Sequence, residues 1–161
     1  MQKLTTLFRK LCALAPSHRR LMILSNNAEG VHGDGCVTKQ ADAVQALRHV
    51  LVNIGSDNDH VAVTTAETEI PLGVCDDEAA AIDDYVNVQL LGQKQGTILM
   101  RAHAAIDAGD FLVAAAAGRV QTIDGLSSTT VYIVGRALNA ATAQDDDVEV
   151  AHCLPVQRVI S

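Results

Sequence analysis

The side chains able to do acid–base, nucleophilic or metal chemistry are present but scattered. His18, His32, His49, His60, His103 and His152 are nowhere paired as His-x-His or His-Glu-x-x-His, the spacings that set two imidazoles on one metal ion. Acids gather in two clusters, Asp76-Asp77-Glu78 and Asp145-Asp146-Asp147. A calcium loop alternates its oxygen ligands and bends at a glycine. Neither cluster does, so both read as acids at solvated turns. Asp83 and Asp145 stand at matching places in an internal repeat. Equivalent turns hold equivalent residues apart, which is poor geometry for a general acid and base. No serine is flanked as a nucleophile elbow. Cys36 has His32 four residues upstream, but a catalytic Cys–His pair is assembled in space, so that spacing carries no weight. The expectation is a chain that is not an enzyme, with no catalytic residue, metal ligand or cofactor site.

The elements that carry these residues are organised by a repeat. Leu72-Gly73-Val74-Cys75-Asp76-Asp77-Glu78-Ala79-Ala80-Ala81-Ile82-Asp83-Asp84-Tyr85-Val86-Asn87-Val88 matches residues 134–150 without a gap, 62 positions on. Gly73 falls on Gly135, Asp83-Asp84 on Asp145-Asp146, and Val86-x-Val88 on Val148-x-Val150. Carried upstream, the same register sets Val50-Leu51 against Leu112-Val113. Two copies are too few for a solenoid and suit a duplicated barrel or sandwich, with halves at 37–91 and 99–153.

Strand signals support that reading. Val86, Val88 and Leu90 alternate with Asn87 and Gln89, the period of a half-buried strand. Further strands are expected over 48–54, 60–64, 70–74, 96–100, 111–115, 119–123, 131–138 and 148–154, separated by turn residues such as Gly55-Ser56-Asp57-Asn58-Asp59 and Asp124-Gly125. Ala114 to Ala117 is followed at once by Gly118, too short a run to repay helix nucleation. The fold class is all-β.

Composition sets bounds on the rest. Apolar residues make up 48% of the chain but aromatics only 2%, with no tryptophan. A core of Ala, Val, Leu and Ile buries little area per residue, so a partner surface is expected to add stability. Net charge is −7. Residues 1–24 hold Lys3, Arg9, Lys10, Arg19 and Arg20 and no acid, which leaves −12 on the remainder. Such a body does not suit phosphate contacts, so no direct nucleic-acid binding is expected. Cys12, Cys36, Cys75 and Cys153 form no Cys-x-x-Cys pair. They read as reduced thiols made in a cytoplasm. No apolar run approaches a membrane span, and the five residues between Lys10 and Pro16 are too few for a signal-peptide core.

Leu4, Leu7, Phe8, Leu11 and Leu14 at helical spacing describe a short basic amphipathic helix over residues 2–15, ended by Pro16. It is a packing helix, a membrane-surface segment or an extension outside the folded body, whose first residue is then Met22. Residues 1–24 form this N-terminal extension, 25–37 a Gly-rich arm, and 38–156 the β-rich domain. The arm has no Gly-Lys-Ser/Thr and so is no phosphate loop. Gly30, Gly33 and Gly35, within six residues, give the backbone freedom to lie against another surface.

Residues 25–33, the run Leu51-Val52-x-Ile54-Gly55-Ser56-Asp57-x-Asp59-His60-Val61-Ala62-Val63, Ile70-Pro71-Leu72-Gly73-Val74, Val134-Gly135-Arg136-Ala137-Leu138 and Val148-Glu149-Val150 resemble the capsid-decoration proteins of tailed bacteriophages and prophages. The resemblance covers about residues 23–156 and rests on glycines and strand valines. It implies a small β-tulip or barrel body that binds the outside of an assembled head, often as a homotrimer, and stabilises it. The implied partner is the major capsid protein, and the implied location is the virion. Asn26, Asn27, Glu29, Gly30, Val31, His32, Gly33 and Gly35 are then the expected capsid-binding arm, and Gly73 and Gly135 the fold-defining glycines. A non-catalytic barrel or adhesin-like binding module is the alternative. A carrier would need a lysine at a hairpin tip, and Lys39 and Lys94 are the only lysines beyond residue 24. A small hydrolase stands third, through Cys36 and the acids.

Overall fold

The computed structural model describes residues 34–127 and 129–161, and these are almost entirely strand and turn. β1 (Cys36–Ala41), β2 (Val50–Ile54), β3 (His60–Val63), β4 (Gly73–Cys75) and β5 (Tyr85–Leu90) close into a barrel in the order β1-β3-β2-β4-β5. β1 runs parallel to β3 and antiparallel to β5. β6 (Ile98–Arg101), β7 (Phe111–Ala114), β8 (Val120–Thr122), β9 (Thr129–Ala137) and β10 (Asp147–Ile160) form a sheet ordered β6-β10-β9-β7-β8. That is the cyclic order of the first five strands. A parallel bridge between Ala102 and Val120 joins its two edges, as β1–β3 does in the first barrel.

The pairings fix which residues of the two units correspond. Val52 pairs with Gly73 as Leu112 pairs with Gly135. Val88 lies opposite Val37 as Val150 lies opposite Ile98. Gln45 bridges Ala79 as Ile106 bridges Ala141. Ala41, Val52, Val61, Gly73 and Val88 thus correspond to Ala102, Leu112, Val120, Gly135 and Val150, so the offset runs 61, 60, 59, 62 and 62. The ungapped register read from the sequence holds for β4 and β5. Upstream it is one to three residues out, because loops of different length intervene. Leu51 corresponds to Phe111 rather than to Val113.

Alternation along β2 explains how the units join. Val50 and Val52 point into the first barrel with Val61, Val86 and Val88. Leu51 therefore points outward, beside its cross-strand neighbour Val74 on β4. Both are 0% exposed, because they pack with Met100, Leu112, Val120 and Val148 of the second barrel. Full burial of each contributes about 1.5–3 kcal/mol. The Ala114–Ala117 run ends β7 and turns through a 3-10 segment, Ala116–Gly118, instead of extending a strand to Ala115. Gly118 has φ +70°, and a Cβ there would stand 2.7 Å from Val50 Cβ and Val63 Cγ1. Its amide donates to the Thr64 carbonyl at 2.8 Å, and the Arg101 amide donates to the His49 carbonyl at 2.9 Å.

Two boundaries differ from expectation. Cys36 and Val37, assigned to the arm, belong to β1 and pair with Gln89 and Val88. β10 continues past residue 156 to Ile160, because Tyr132, Val131, Thr130 and Thr129 extend β9 beside it. The helix over 2–15, and the arm as far as Gly33, lie outside the described residues.

Candidate functional site

Of the expected arm residues only Gly35 is described. It belongs to the body. Its carbonyl accepts from the Leu90 amide at 2.8 Å, and a Cβ on it would meet the Gln93 carbonyl and the Lys94 amide at 2.5 Å. With φ +67° as well, the position admits only glycine without rearrangement. Asn26, Asn27, Glu29, Gly30, Val31, His32 and Gly33 lie outside the described residues. The chain thus enters the first barrel seated on the turn that follows β5. Lys94 Nζ also donates to Cys36 Sγ there, at 3.4 Å.

The acids singled out by the repeat are structural. Asp83 and Asp145 adopt φ of 67° and 71°, the same left-handed turn residue in each unit. Asp83 Oδ1 lies 2.9 Å from His60 Nε2, and Asp145 Oδ1 lies 2.7 Å from Arg119 Nε. His60 and Arg119 are themselves equivalent: the Gly55 amide donates to the His60 carbonyl as the Ala115 amide does to that of Arg119. Each unit therefore clasps its last turn to its third strand with one cation and one carboxylate. Hydrogen bonding to Asp57 and then to Asp83 pushes the His60 pKa up to about 9. The Arg119 hydrogen bond holds Asp145 below the usual carboxylate range. The next acids accept backbone amides, Asp84 from Ala81 at 2.8 Å and Asp146 from Ala143 at 3.0 Å and Thr142 at 2.9 Å. Those bonds lower Asp146. Asp83 and Asp145 are not brought together, and each already has its partner.

Most of the remaining candidates are likewise engaged, but His103 Nδ1 is buried without a hydrogen-bond partner. His49 Nδ1 lies 2.9 Å from Asp147 and its Nε2 3.3 Å from Asp76, joining the barrels. Asp77 accepts from the Asn87 amide at 2.9 Å. His152 Nδ1 accepts from the Gly92 amide at 2.9 Å, and burial holds its pKa below 6.5. Among the described residues, no three of His, Cys, Asp and Glu converge as metal ligands would. Cys36, Cys75 and Cys153 are free, with burial raising the thiol pKa of Cys75 and of Cys153. His18, His32 and Cys12 lie outside the described residues.

What the body offers a partner is surface. Arg48, Asp77, Glu78 and Tyr85 line a shallow groove on the first barrel. Tyr85 is 75% exposed, and Phe111, under the Arg136 guanidinium at 5.8 Å, is 47% exposed. Sequence reasoning missed this second surface, because Phe111 and Arg136 are 25 positions apart and meet only through β7–β9 pairing.

No family model matches the chain, and no curated protein matches it. Among solved structures it is similar to the head fiber gp8.5 N base of bacteriophage phi29. The TM-score is 0.53 at 23% identity, over 78% of this chain and 92% of that one. At that identity the likeness establishes a shared fold.

Proposed function

We propose that this chain is a structural protein of a tailed-phage virion that binds the outside of the assembled head and stabilises it, without catalysis. The observation that carries the reading is the likeness to a phage head-fiber base, which spans 92% of that base. The motif resemblance to head-decoration proteins points the same way from different evidence. Asp83 and Asp145 are held by His60 and Arg119, and His49 by Asp76 and Asp147, so these groups serve the body's architecture, which suits a binding role. The major capsid protein is the proposed partner, a homotrimer the proposed assembly, and residues 23–33 the proposed contact. A glycine-rich arm binds at a cost in chain entropy, and three arms on one trimer offset weak single contacts by avidity.

The test is binding to purified heads stripped of accessory proteins. Deletion of residues 1–33 is the informative truncation, because it spares Gly35 and β1. The full chain is expected to saturate stripped heads and raise the temperature at which they release DNA. The truncated body is expected to stay folded and fail to bind. Equal saturation by both would refute the arm as the contact, and no binding by the full chain would refute the function.

A further inference from the structure

The duplication supplies a template for a contact that one chain leaves unmade. Within the chain, the outer face of β2–β4 is covered by the second barrel. Leu51 and Val74 form that face, with His49 and Asp76 at its end. The cover is Met100, Leu112, Val120 and Val148, with the Ala115–Gly118 turn and Asp147 beside them. Each surface has a counterpart that stays open. On the second barrel, Phe111 and Arg136 are cross-strand neighbours where Leu51 and Val74 are. Gly109 donates to Ala137 as His49 does to Cys75, and Leu138 donates to Glu149 as Asp76 does to Asn87, so Gly109 and Leu138 replace His49 and Asp76. On the first barrel, the Gly55–Asp59 turn stands in place of Ala115–Gly118. Tyr85, paired with Gln40 as Asp147 is with Arg101, stands in place of Asp147.

The open counterparts have changed in step. Inside the chain, the Asp147 carboxylate meets His49 and Asp76. On the open faces, Tyr85 would meet Gly109 and Leu138, apolar against apolar. Inside the chain, the Ala115–Gly118 turn sits at the junction, with Gly118 against Val50, Val63 and the Leu51 carbonyl. On the open faces, Arg136 would lie opposite the turn that carries Asp57 and Asp59, cation against acid. Phe111, Leu138 and Tyr85 are 47%, 49% and 75% exposed, and among the described residues no aromatic side chain lies in the buried core. Aromatics and arginine held outside the core are the composition of a protein interface.

We propose that a second copy of this chain docks head to tail, its first barrel covering the Phe111–Arg136 face as the second barrel covers Leu51–Val74 within one chain. The inference stands on the internal repeat and does not rest on the virion reading. Such a contact uses a different face on each copy, so it closes into a ring where the rotation permits.

The test uses the full chain and two variants, Phe111→Asp on one face and Tyr85→Arg on the other, with masses followed by sedimentation over a concentration series. Both positions are exposed, so unfolding midpoints should match the unsubstituted chain. Leu138→Asp replaces Phe111→Asp if that variant unfolds early. The unsubstituted chain is expected to associate and each variant alone to be monomeric. An equimolar mixture keeps one intact face on each partner, and is expected to give a species of twice the monomer mass and nothing larger. A monomeric unsubstituted chain, association unaltered in either variant, or a mixture that stays monomeric would overturn the proposal.

Discussion

His60 and Arg119 do the same work with different chemistry, and the His60 clasp depends on pH. In the unfolded chain His60 titrates near 6.5, and in the folded chain near 9. Below 6.5 both states hold the proton and the clasp contributes in full. As pH rises from 6.5 to about 9, the folded state holds a proton that the unfolded state has lost, so stability falls, and above 9 the contribution is gone. His60→Gln is expected to melt below the unsubstituted protein at neutral pH, with the gap closing above about pH 9. His152 acts in the opposite sense. Its pKa lies below 6.5 in the folded state, so its contribution is present above 6.5 and is lost as pH falls below that value. Melting curves at stepped pH check both. A constant gap between His60→Gln and the unsubstituted chain across the alkaline range would refute the first.

The glycine turns show how one residue type serves two purposes. Gly118 and Gly125 both have positive φ, +70° and +89°. Open space surrounds Gly125, while Gly118 abuts Val50, Val63 and the Leu51 carbonyl. Gly125→Ala is expected to cost only left-handed strain, about 1–2 kcal/mol. Gly118→Ala adds overpacking at the barrel junction, about 1–3 kcal/mol more. Denaturant unfolding of the two variants measures the difference, and equal losses would mean that the junction yields freely. Gly73 and Gly135 pack in the same way inside strands: a Cβ on Gly135 would stand 2.6 Å from Val150 Cγ1, and one on Gly73 2.7 Å from Val88 Cγ1. The sequence marked these two glycines through the repeat, but gave no sign of the neighbours that require them. It missed β1 as a strand because Lys39 and Gln40 interrupt its apolar alternation.

The barrels are tied into one body by burial that neither achieves alone. Leu51 and Val74 would be wet on an isolated first barrel, so the two units are expected to unfold together. The cysteines report on this. Under denaturing, non-reducing conditions four free thiols per chain are expected, since Cys36, Cys75 and Cys153 are free and the sequence offers Cys12 no paired neighbour. In the folded protein Cys75, 0% exposed on β4, is expected to react with a thiol reagent far more slowly than half-buried Cys36. Two or fewer thiols on denaturation would contradict the reading. A Cys75 that reacts as fast as Cys36 would mean that the first barrel opens readily.

By itself the sequence determined the all-β class, nearly every strand and the duplication. These follow from local alternation, turn residues and a glycine–aspartate–valine pattern that survived in one register. It also indicated correctly that Asp83 and Asp145 stand at equivalent turns. Only the tertiary structure decided that the two halves are barrels of the same cyclic strand order, that the offset drifts through 59 to 62, and that His60 and Arg119 hold those aspartates. Nor was the exposed Phe111–Arg136 face legible. Each of these depends on which strands lie side by side, and strand neighbours here are set by loop lengths and by the burial of Leu51 and Val74 between the barrels. A linear pattern records the alternation of a strand but not the surface that will cover its outer side.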